Sequence, residues 1–350
     1  MRVAIDATPL TLSTGGLHRY TEELSLALAQ NFPQDEYFLV SDQPFPMPPT
    51  APPNLHRGSG PRHAFERRWW LWGLQRQLAR LDAQLFHGSD FAVPYVPRRP
   101  SVLTLHDLSP WMDAAWHSGA DRVRQRTPLL IGLGSATMIV TPSEAVRQRA
   151  IERFRIHPGR VRAVPHGASA CFRPQPFPPG PPYFLYAGTL EPRKNISGLL
   201  AAWREVRRTH ALNLVLAGRC RSDLPQLSPE PGLQIMGEVT DERLAELISG
   251  TLAFVYPSLY EGFGLPVLEA MQCGACVITS RDPAIAEVAA GAAIQAGSHA
   301  ELVQAMLDIA THPERAEPWR TRALRRAGNF SWSRTAQLTH EIYEEAQRRY

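Results

Sequence analysis

Strand-like and helix-like segments alternate along almost the whole chain of 350 residues. The first apolar run, Arg2–Ala7, has the pattern of a buried strand, and a helical stripe follows the glycine pair Gly15-Gly16. Val102–Leu105 and Met138–Val140 repeat the buried-strand pattern. Strands of parallel sheets are buried on both faces and are joined by crossover helices. The alternation therefore predicts an α/β fold built on parallel sheets.

A proline-dense segment, residues 172–182, interrupts the alternation near the middle of the chain. Its composition suits a semi-rigid linker between domains. After it the alternation restarts, with apolar runs at Tyr183–Ala187, Leu212–Ala217, Leu233–Met236, Ala253–Tyr256 and Cys276–Thr279. We therefore predict two Rossmann-like domains facing across a cleft: an N-terminal domain of residues 1–171 and, beyond the linker, a C-terminal domain of residues 183–330.

Composition limits the classes of protein to which this chain can belong. Hydrophobic residues make up 44% and charged residues 20%, which is the balance of a globular protein and not of a disordered one. The longest apolar run, Leu129–Val140, is shorter than the roughly 20 residues that span a bilayer. The first residues lack the apolar core of a signal peptide, so the sequence predicts a cytoplasmic protein.

The four cysteines indicate a reducing compartment without a disulfide framework. Cys273 and Cys276 form a C-x-x-C pair, for which redox or zinc chemistry is the alternative to a structural role. Since no second pair completes a zinc site, we predict that the pair is structural. The sequence also shows no Asp-x-Asp motif suited to a metal-bound diphosphate, so we expect neither a metal nor a cofactor.

Positive charge is concentrated in the first half of the chain. Residues 1–175 hold 20 arginines against 14 acidic residues, a balance of +6, and the rest carries −2 because the whole chain carries +4. A basic half suits an acidic partner such as a lipid phosphate, an anionic membrane or nucleic acid. Scattered, solvated arginine is the alternative.

Residues 66–81 of this basic half interleave aromatic side chains with arginines. Two stripes at helical spacing run through the segment: Trp70, Leu74, Leu78 and Leu81 form one, and Trp69, Trp72, Arg76 and Arg80 form the other. This pattern is typical of an amphipathic helix at an anionic membrane surface, and a core helix with outward-reaching arginines is the alternative. The segment is a candidate contact with the inner face of the membrane. No nucleic-acid partner is expected, because no reader motif accompanies the charge.

The most specific motif is the run from Ser258 to Gly274, which contains two glutamates, Glu261 and Glu269, eight residues apart. The two glycines and the proline between them predict a loop that opens a helix, with Glu261 in the loop and Glu269 about one turn into the helix. Backbone N–H groups at a helix start bind anions and hydroxyls. The run therefore suits a phosphorylated sugar, and acidic residues that stabilise a helix macrodipole are the alternative.

A cationic motif that ends in Arg193 and Lys194 follows the first predicted strand of the second half. Lys194 is the only lysine among 37 basic residues. A compact ammonium group suits a leaving diphosphate, and chance retention of one lysine is the alternative. Since ligands of open α/β sheets bind beyond the carboxyl ends of the strands, both residues are candidates for neutralising a diphosphate without a metal ion.

Two further candidates lie at predicted strand ends of the first half. His106, followed by Asp107, stands at the end of the strand Val102–Leu105, where a capped structural histidine is the alternative. Gly15 and Gly16 form a loop without side chains at a helix start, which suits close approach by a phosphate. The full G-x-G-x-x-G pattern is missing there, which disfavours a dinucleotide cofactor.

These segments together resemble glycosyltransferase family 4, whose members are retaining enzymes with the GT-B fold. The Glu-x7-Glu spacing, the Gly-Phe-Gly-Leu-Pro-Val-Leu run within it, the Leu-Glu-Pro-Arg-Lys-Asn motif and the His-Asp element occur in the family's order over nearly the whole chain. The resemblance implies that Glu261 and His106 contact the donor sugar, that Glu269 contacts the ribose and that Lys194 binds the diphosphate. The other donor-binding residues that it implies are Gly15, Gly16, Arg193, Gly264 and Leu265.

The chain departs from the family's pattern at two places. Thr189 stands where many relatives carry an arginine, a charge that Arg193 can supply, and His166 stands where relatives often have asparagine. The resemblance also implies that residues 331–350, which carry a helical stripe, form a C-terminal helix that packs back on the N-terminal domain.

The function implied by the resemblance is the retaining, metal-independent transfer of a hexose from a nucleotide diphosphate sugar to a glycan or lipid-linked acceptor. In the family's usual account the leaving diphosphate helps to deprotonate the acceptor, and Glu261 would orient the sugar and not attack it. The sequence motifs most resemble those of bacterial mannosyltransferases of surface-polysaccharide assembly. This resemblance favours GDP-mannose as the donor and leaves glucose, rhamnose and N-acetylglucosamine donors open. A nucleotide-sugar epimerase and a catalytically silent GT-B-like scaffold are the alternatives.

Overall fold

The computed structural model of the chain describes residues 1–12, 15–113, 116, 120–177, 180–221 and 228–350. Contacts between residues divide the chain into two compact units. Unit 1 comprises Met1–Met112, His117–Gly167 and Ser331–Tyr350, and unit 2 comprises Asp113–Trp116 and Ala168–Phe330.

Unit 1 is built on one parallel sheet with helices between the strands. Its elements in the described residues are β1 (Arg2–Asp6), α1 (Gly16–Asn31), β2 (Glu36–Val40), β3 (Leu55–Arg57), α2 (Leu74–Arg80), β4 (Leu85–Gly88), β5 (Ser101–Thr104), α3 (Asp121–Gly132), β6 (Met138–Thr141), α4 (Glu144–Phe154) and β7 (Val161–Ala163). The strand order is β3-β2-β1-β4-β5-β6-β7. The order reverses between β1 and β4, and polar side chains that follow these strands therefore meet at one edge of the sheet.

The helices of unit 1 follow their sequence signals. α1 buries Tyr20, Leu24 and Leu28, because apolar side chains three or four positions apart lie on one helical face. At the start of α4 the Ser143 hydroxyl accepts a hydrogen bond of 3.2 Å from the Val146 backbone N–H, which satisfies an otherwise unpaired amide.

Unit 2 repeats the same architecture. Its elements in the described residues are β8 (Tyr183–Ala187), α5 (Ile196–Arg207), β9 (Asn213–Ala217), β10 (Leu233–Gly237), α6 (Asp241–Gly250), β11 (Ala253–Tyr256), α7 (Leu265–Gln272), β12 (Val277–Thr279), α8 (Pro283–Ala289), β13 (Ile294–Gln295), α9 (His299–Thr311) and α10 (Glu317–Ala327). The parallel strands have the order β10-β9-β8-β11-β12-β13, so the reversal falls between β8 and β11.

The described residues of the proline-dense segment belong to unit 2 and do not form a separate linker. Phe172 is fully buried in the core of that unit, because the burial of a large aromatic ring is strongly favourable. Pro178 and Pro179 of the predicted linker lie outside the described residues.

The C-x-x-C pair is buried in the core of unit 2, and both thiols are free. Burial raises the pKa of Cys273 and of Cys276 to about 12. Because a thiolate is the reactive form of cysteine, these values agree with the structural interpretation. Among the described residues no group of three or more histidine, cysteine, aspartate or glutamate side chains could hold a metal ion.

The last helix, α11 (Trp332–Arg349), belongs to unit 1 although it follows unit 2 in the chain. It packs against α1 and buries Trp332, Ile342 and Tyr343 in the core of unit 1. The Thr335 hydroxyl donates a hydrogen bond of 2.7 Å to the carbonyl of Pro165. The helix is thus bound to unit 1 by both apolar and polar contacts.

A buried chain of polar side chains joins α11 to the sheet. The Nδ1 atom of His87, on β4, lies 2.6 Å from the Tyr343 hydroxyl, and its Nε2 lies 2.7 Å from the Thr104 hydroxyl. The Thr104 hydroxyl lies 2.9 Å from that of Tyr20 on α1. Each of these buried groups has a partner, which removes the desolvation cost of an unpaired polar atom.

The buried His87 makes unit 1 sensitive to acid. Burial lowers the pKa of His87 to about 3, with a smaller contribution from His106, whereas an unfolded histidine titrates near 6.5. Below that pH the unfolded chain binds a proton that the folded chain does not, so stability is present above about pH 6.5 and is lost as the pH falls toward about 3. We expect the free energy of unfolding to fall by about 2 kcal/mol through His87 between about pH 7 and pH 5.

Urea titrations of the wild-type protein and of His87→Gln at both pH values measure this contribution. The comparison is needed because burial raises the pKa of Asp6 to about 7, and Asp6 therefore stabilises the fold as the pH falls. Since Asp6 is present in both proteins, the difference in their pH dependence reports His87. Parallel pH dependences would contradict the prediction.

The segment 66–81 is not one continuous α-helix. A 3-10 helix (Ala64–Arg67) and a π-helix (Trp69–Gly73) precede α2. A Cβ atom at Gly73 would lie 2.0 Å from the carbonyl oxygen of Glu66, so only glycine allows these two turns to approach. The wider π-helical turn changes the angular spacing of the side chains around the helix. Regular helical spacing predicted that Trp69 and Trp72 lie on the same stripe, but Trp69 is buried and Trp72 is exposed.

Within the described residues, no helix combines the length and the apolar character needed to cross a membrane.

Candidate functional site

The charged candidates of unit 2 meet where its strand order reverses. Lys194 ends a short 3-10 helix (Pro192–Lys194) that follows β8, and Glu261 lies in the loop between β11 and α7. Ligands of doubly wound sheets bind at this point because the loops from neighbouring strands diverge there. The structure therefore brings together two predicted residues that are 67 positions apart in the sequence.

Glu261 is the centre of a buried ion cluster. The Lys194 ammonium donates hydrogen bonds of 2.5 Å to Glu261 Oε1 and of 2.8 Å to the Tyr256 hydroxyl. The Ser258 hydroxyl donates to the same Glu261 oxygen at 2.6 Å, and Arg193 Nη1 lies 3.4 Å from Oε2. The side chains of Lys194 and Glu261 are only 9% and 8% exposed. The geometry pairs these charges with each other, so burial leaves neither without a countercharge.

The cluster keeps the Glu261 carboxyl ionised. Burial acts to raise its pKa, but the charges of Lys194 and Arg193, with the hydrogen bonds from Lys194 and Ser258, outweigh this and hold the pKa below its ordinary value. Burial lowers the pKa of Lys194, and the charge of Glu261 opposes this effect. An ionised carboxylate only accepts hydrogen bonds, so Glu261 can bind hydroxyls but cannot act as an acid.

The ammonium and carboxylate groups retain capacity for a ligand. An ammonium group has three donors, and the acceptors of Lys194 in the described part of the chain are Glu261 and Tyr256. A carboxylate has about four acceptor positions, and Arg193 Nη1 lies 3.4 Å from Oε2 of Glu261. The cluster can therefore add a phosphate oxygen on one side and a sugar hydroxyl on the other.

Several residues that sequence reasoning missed hold the Glu261 loop in place. Tyr256 and Ser258 are the buried partners described above, and the Ser280 hydroxyl donates a hydrogen bond of 2.6 Å to the Ser258 carbonyl. Asp282 accepts hydrogen bonds from the Ala284 and Ile285 amides at the start of α8. A polar residue at the carboxyl end of a buried strand, as in Tyr256, and the Asp-Pro pair at 282–283 were the signals available in the sequence.

The second glutamate lies where the spacing predicted it. α7 begins at Leu265, and Glu269 is its fifth residue and is buried. Gly264 precedes the helix with a φ of +97°, a left-handed conformation that favours glycine. The glycine thus turns the chain from the Glu261 loop into the helix, and its carbonyl accepts hydrogen bonds from the Val267 and Leu268 amides at 2.9 and 3.1 Å.

Arg193 is shared between two carboxylates. Its guanidinium group lies 2.8 Å from Glu191 Oε1 through Nη2 and donates to the Tyr260 carbonyl at 2.9 Å through Nη1. The residue is thus fixed beside Lys194. Arg193 therefore places a positive charge in the cluster, although this chain has threonine at position 189, where many relatives carry an arginine.

In unit 1, His106 follows β5 and packs against other aromatic rings. Its Nε2 is 2.6 Å from the Ser89 carbonyl, and its ring lies 4.7 Å from that of Tyr20 in an edge-to-face arrangement. Burial lowers the pKa of His106, although Asp90, the hydrogen bond to Ser89 and Asp107 act in the opposite direction. Because a carbonyl can only accept, Nε2 carries the proton, and the neutral ring presents Nδ1 as an acceptor.

Two buried carboxyl groups that follow or end strands of unit 1 were not among the predicted residues. Burial raises the pKa of Asp6, at the end of β1, to about 7 and raises that of Asp90, which follows β4. The Thr8 hydroxyl donates to Asp6 at 2.6 Å and opposes the shift. A carboxyl group that titrates near neutral pH can exchange protons, and the position of Asp6 at a strand end was the sequence signal.

The glycine loop begins α1. Gly15 precedes the helix with a φ of +115°, and Gly16 is its first residue. Both are exposed, and a Cβ atom at either position would meet no described heavy atom within 4 Å beyond its chain neighbours. Packing therefore does not require glycine at position 16.

His166 contacts the same aromatic group as His106. Its ring stacks on that of Trp332 with a centroid distance of 5.6 Å and lies 4.8 Å from that of Tyr20. Burial lowers the pKa of His166 well below its ordinary value. The residue that departs from the family's asparagine thus packs against α11.

Fold and site together define a class of protein. Two doubly wound parallel sheets, one of which carries a buried cluster of lysine, arginine and glutamate at the point of strand reversal, are typical of Rossmann-like α/β proteins that bind phosphorylated ligands. Comparison with known proteins narrows the class. Residues 14–170 match the profile of Glycosyltransferase Family 4, and residues 170–326 match that of Glycosyl transferases group 1.

The sequence is 32% identical, over 291 residues, to O-antigen chain mannosyltransferase B of Escherichia coli, and the match covers 74% of each chain. Among solved structures, sucrose-phosphate synthase from Thermosynechococcus elongatus has a TM-score of 0.73 at 19% identity and covers 98% of both chains. HepE of Anabaena, solved in complex with UDP-glucose, has a TM-score of 0.70 at 15% identity and covers 99% of this chain and all of its own. The chain belongs to glycosyltransferase family 4 and has the GT-B fold.

Proposed function

We propose that this glycosyltransferase moves a hexose, preferably mannose from GDP-mannose, to a glycan or lipid-linked acceptor with retention of configuration and without a metal ion. The observation that carries the proposal is the buried cluster of Lys194, Arg193 and Glu261 at the strand reversal of unit 2. It combines cations suited to a diphosphate with an ionised carboxylate suited to sugar hydroxyls.

Lys194 and Arg193 would neutralise the diphosphate as the bond to the sugar breaks. Fixed cations in a buried site stabilise developing negative charge without the cost of reorganising solvent. A bound diphosphate would also add a second countercharge to Lys194, whose pKa burial lowers. The backbone N–H groups of Gly264 and Leu265 would donate to the same ligand, since Pro266 has no N–H and those of Val267 and Leu268 donate to the Gly264 carbonyl.

Glu261 would orient the donor sugar. Its low pKa keeps it an acceptor, and Ser258 and Lys194 fix its position. Glu269 would bind the ribose from the second turn of α7. Retention would then follow from attack of the acceptor on the face that the diphosphate leaves, with a diphosphate oxygen taking the acceptor proton.

Gly15, Gly16 and His106 of unit 1 are proposed to take part in the reaction. The glycine loop offers backbone donors without side chains, and Nδ1 of His106 offers an acceptor for a sugar hydroxyl. The preference for mannose rests on the similarity to the mannosyltransferase of Escherichia coli, while the complex of HepE with UDP-glucose is a reason to include uridine donors in any test.

Thermal unfolding against a panel of ligands tests the proposal. GDP-mannose, UDP-glucose, UDP-N-acetylglucosamine, dTDP-rhamnose and NAD would each be added at saturation, with and without EDTA. A ligand at 100 times its dissociation constant adds about 2.7 kcal/mol, which shifts the midpoint by several degrees. We expect a shift with GDP-mannose that EDTA does not abolish and no shift with NAD.

The same panel can contradict each part of the proposal. A shift with a different nucleotide sugar would reassign the donor, and a shift that requires a divalent cation would overturn metal independence. No shift with any nucleotide sugar would overturn the transferase mechanism. Once the donor is known, NMR of the glycosidic bond in the product decides between retention and inversion.

A further inference from the structure

A surface of unit 1 combines exposed aromatic and aliphatic side chains with arginines. Phe65 is 78%, Leu71 46% and Trp72 56% exposed. Arg67 and Arg68 are exposed between them. We name these five residues the aromatic–arginine surface. Large apolar side chains are rarely exposed together on a protein surface unless they bind something.

The turns that present this surface are fixed from inside by one carboxylate. Glu66 is buried and accepts hydrogen bonds from the Arg62 amide at 2.9 Å and from Arg80 Nη1 at 3.1 Å, and Arg80 Nη2 also contacts it. These contacts, led by the hydrogen bond from Arg80, lower the pKa of Glu66 to about 2. The acid is therefore ionised and turned inward at physiological pH, and does not offset the outward arginines.

The surface continues onto the neighbouring loop. Val96 is 65% exposed, and its carbonyl accepts a hydrogen bond of 2.7 Å from Gln75 Nε2 on α2. Arg98, two residues further on, is also exposed. Apolar and positively charged groups therefore extend together over two segments of the chain that are held against each other.

We propose that the aromatic–arginine surface binds the surface of a bilayer that contains anionic lipids. Aromatic side chains favour the interface between headgroups and acyl chains, and arginines are attracted to the negative potential of such a membrane. Charge complementarity favours this partner, because Arg67 and Arg68 are exposed while the neighbouring carboxylate, Glu66, is paired with Arg80. Trp69, by contrast, is buried, and Arg80 is paired with Glu66, so we do not include either in the surface.

Co-sedimentation with vesicles tests the proposal in the absence of any sugar nucleotide. One set of vesicles contains phosphatidylcholine alone, and the other contains equal amounts of phosphatidylcholine and phosphatidylglycerol. We expect binding to the anionic vesicles that weakens as salt is added, because salt screens the surface potential. Equal binding to both sets, or none to either, would overturn the proposal.

Two groups of substitutions separate the contributions of charge and apolar contact. Arg67→Gln with Arg68→Gln removes two charges, each of which contributes about 1 kcal/mol at an anionic surface, so binding should weaken about thirtyfold, tenfold being about 1.4 kcal/mol. Phe65→Ser, Leu71→Ser and Trp72→Ser together should weaken binding to the same vesicles by at least about tenfold.

Matched controls come from unit 2. Arg208→Gln with Arg325→Gln removes the same charge from exposed positions, and Ile235→Ser with Met236→Ser removes exposed apolar side chains. Both control proteins should bind vesicles as the wild type does. If the controls weaken binding as much as the test variants, attraction is nonspecific and the proposal fails.

A parallel gel-shift assay with single-stranded RNA and duplex DNA examines the other anionic partner. Binding to nucleic acid that Arg67→Gln with Arg68→Gln abolishes, without binding to vesicles, would replace the membrane with a nucleic acid. Thermal unfolding of each variant shows whether the surface alone has changed, and a variant with an unchanged midpoint and unchanged vesicle binding would also overturn the proposal.

Discussion

Glu261→Ala should reduce turnover by about two to three orders of magnitude, the loss seen when one fixed polar group of a catalytic site is removed. The carboxylate would contact the sugar and not the nucleotide, so affinity for GDP should not fall. It should stay equal or rise, because the substitution removes the countercharge of Lys194 and leaves that ammonium to the diphosphate. Steady-state kinetics with GDP-mannose and calorimetry with GDP measure the two quantities.

Glu191→Gln is the matched control for this prediction. Glu191 is a second carboxylate in contact with Arg193, but it has no proposed contact with the sugar, and its loss should reduce turnover far less than Glu261→Ala does. Glu261→Gln tests whether the charge matters, since it keeps the size of the side chain. Turnover near the wild-type value in Glu261→Ala would refute the assignment of this residue.

Lys194→Met should lower kcat/KM by about three orders of magnitude and weaken GDP binding by about a hundredfold, since a buried charge-assisted bond to a phosphate is lost from both complexes. The change also leaves Glu261 buried with one cation fewer, which destabilises the fold. Thermal unfolding without ligand measures that second effect separately. Lys194→Arg should recover part of the binding, because it keeps the charge but not the compact shape.

A double substitution distinguishes two roles of Lys194. If the lysine served only to neutralise Glu261, then Lys194→Met with Glu261→Gln would bind GDP as well as Glu261→Gln alone. We expect the double variant to bind GDP as weakly as Lys194→Met does, because the proposal has the ammonium itself contact the diphosphate. Tyr256→Phe is a mild control, since it removes a hydrogen bond to Lys194 and keeps the charge. Restored GDP binding in the double variant would contradict the proposed contact.

The fold followed from the sequence because burial imposes regular patterns. Runs such as Tyr183–Ala187 are apolar throughout and form fully buried strands, which is what a parallel sheet covered on both faces requires. The helix after the Glu261 loop, which begins behind Gly264, was predicted from an equally local signal. The family resemblance, which the comparisons confirm, added the positions of Glu261 and Lys194.

The contacts between residues of the site could not be predicted from the sequence. Lys194 and Glu261 were predicted for different parts of one ligand, and only the fold shows that they bind each other. The exposure of Trp72 and the burial of Trp69 depend on a π-helical turn, whose extra residue shifts the helical phase and is not visible in a stripe of apolar residues. Asp6 was missed because its raised pKa arises from burial, which spacing alone does not report.

The return of α11 to unit 1 has a consequence for synthesis on the ribosome. Translation proceeds from the amino end, and domains usually begin to fold as they emerge. Unit 1 nevertheless cannot complete its fold until Ser331–Tyr350 has been synthesised. Before then, Trp332 and Tyr343 cannot pack on the other core residues of unit 1. Unit 2, whose segment Ala168–Phe330 emerges earlier, can fold while its predecessor is still incomplete. Of these two units, unit 1 thus begins to emerge first and is completed second, and a nascent chain stalled before residue 331 would expose apolar core residues of unit 1 to chaperones.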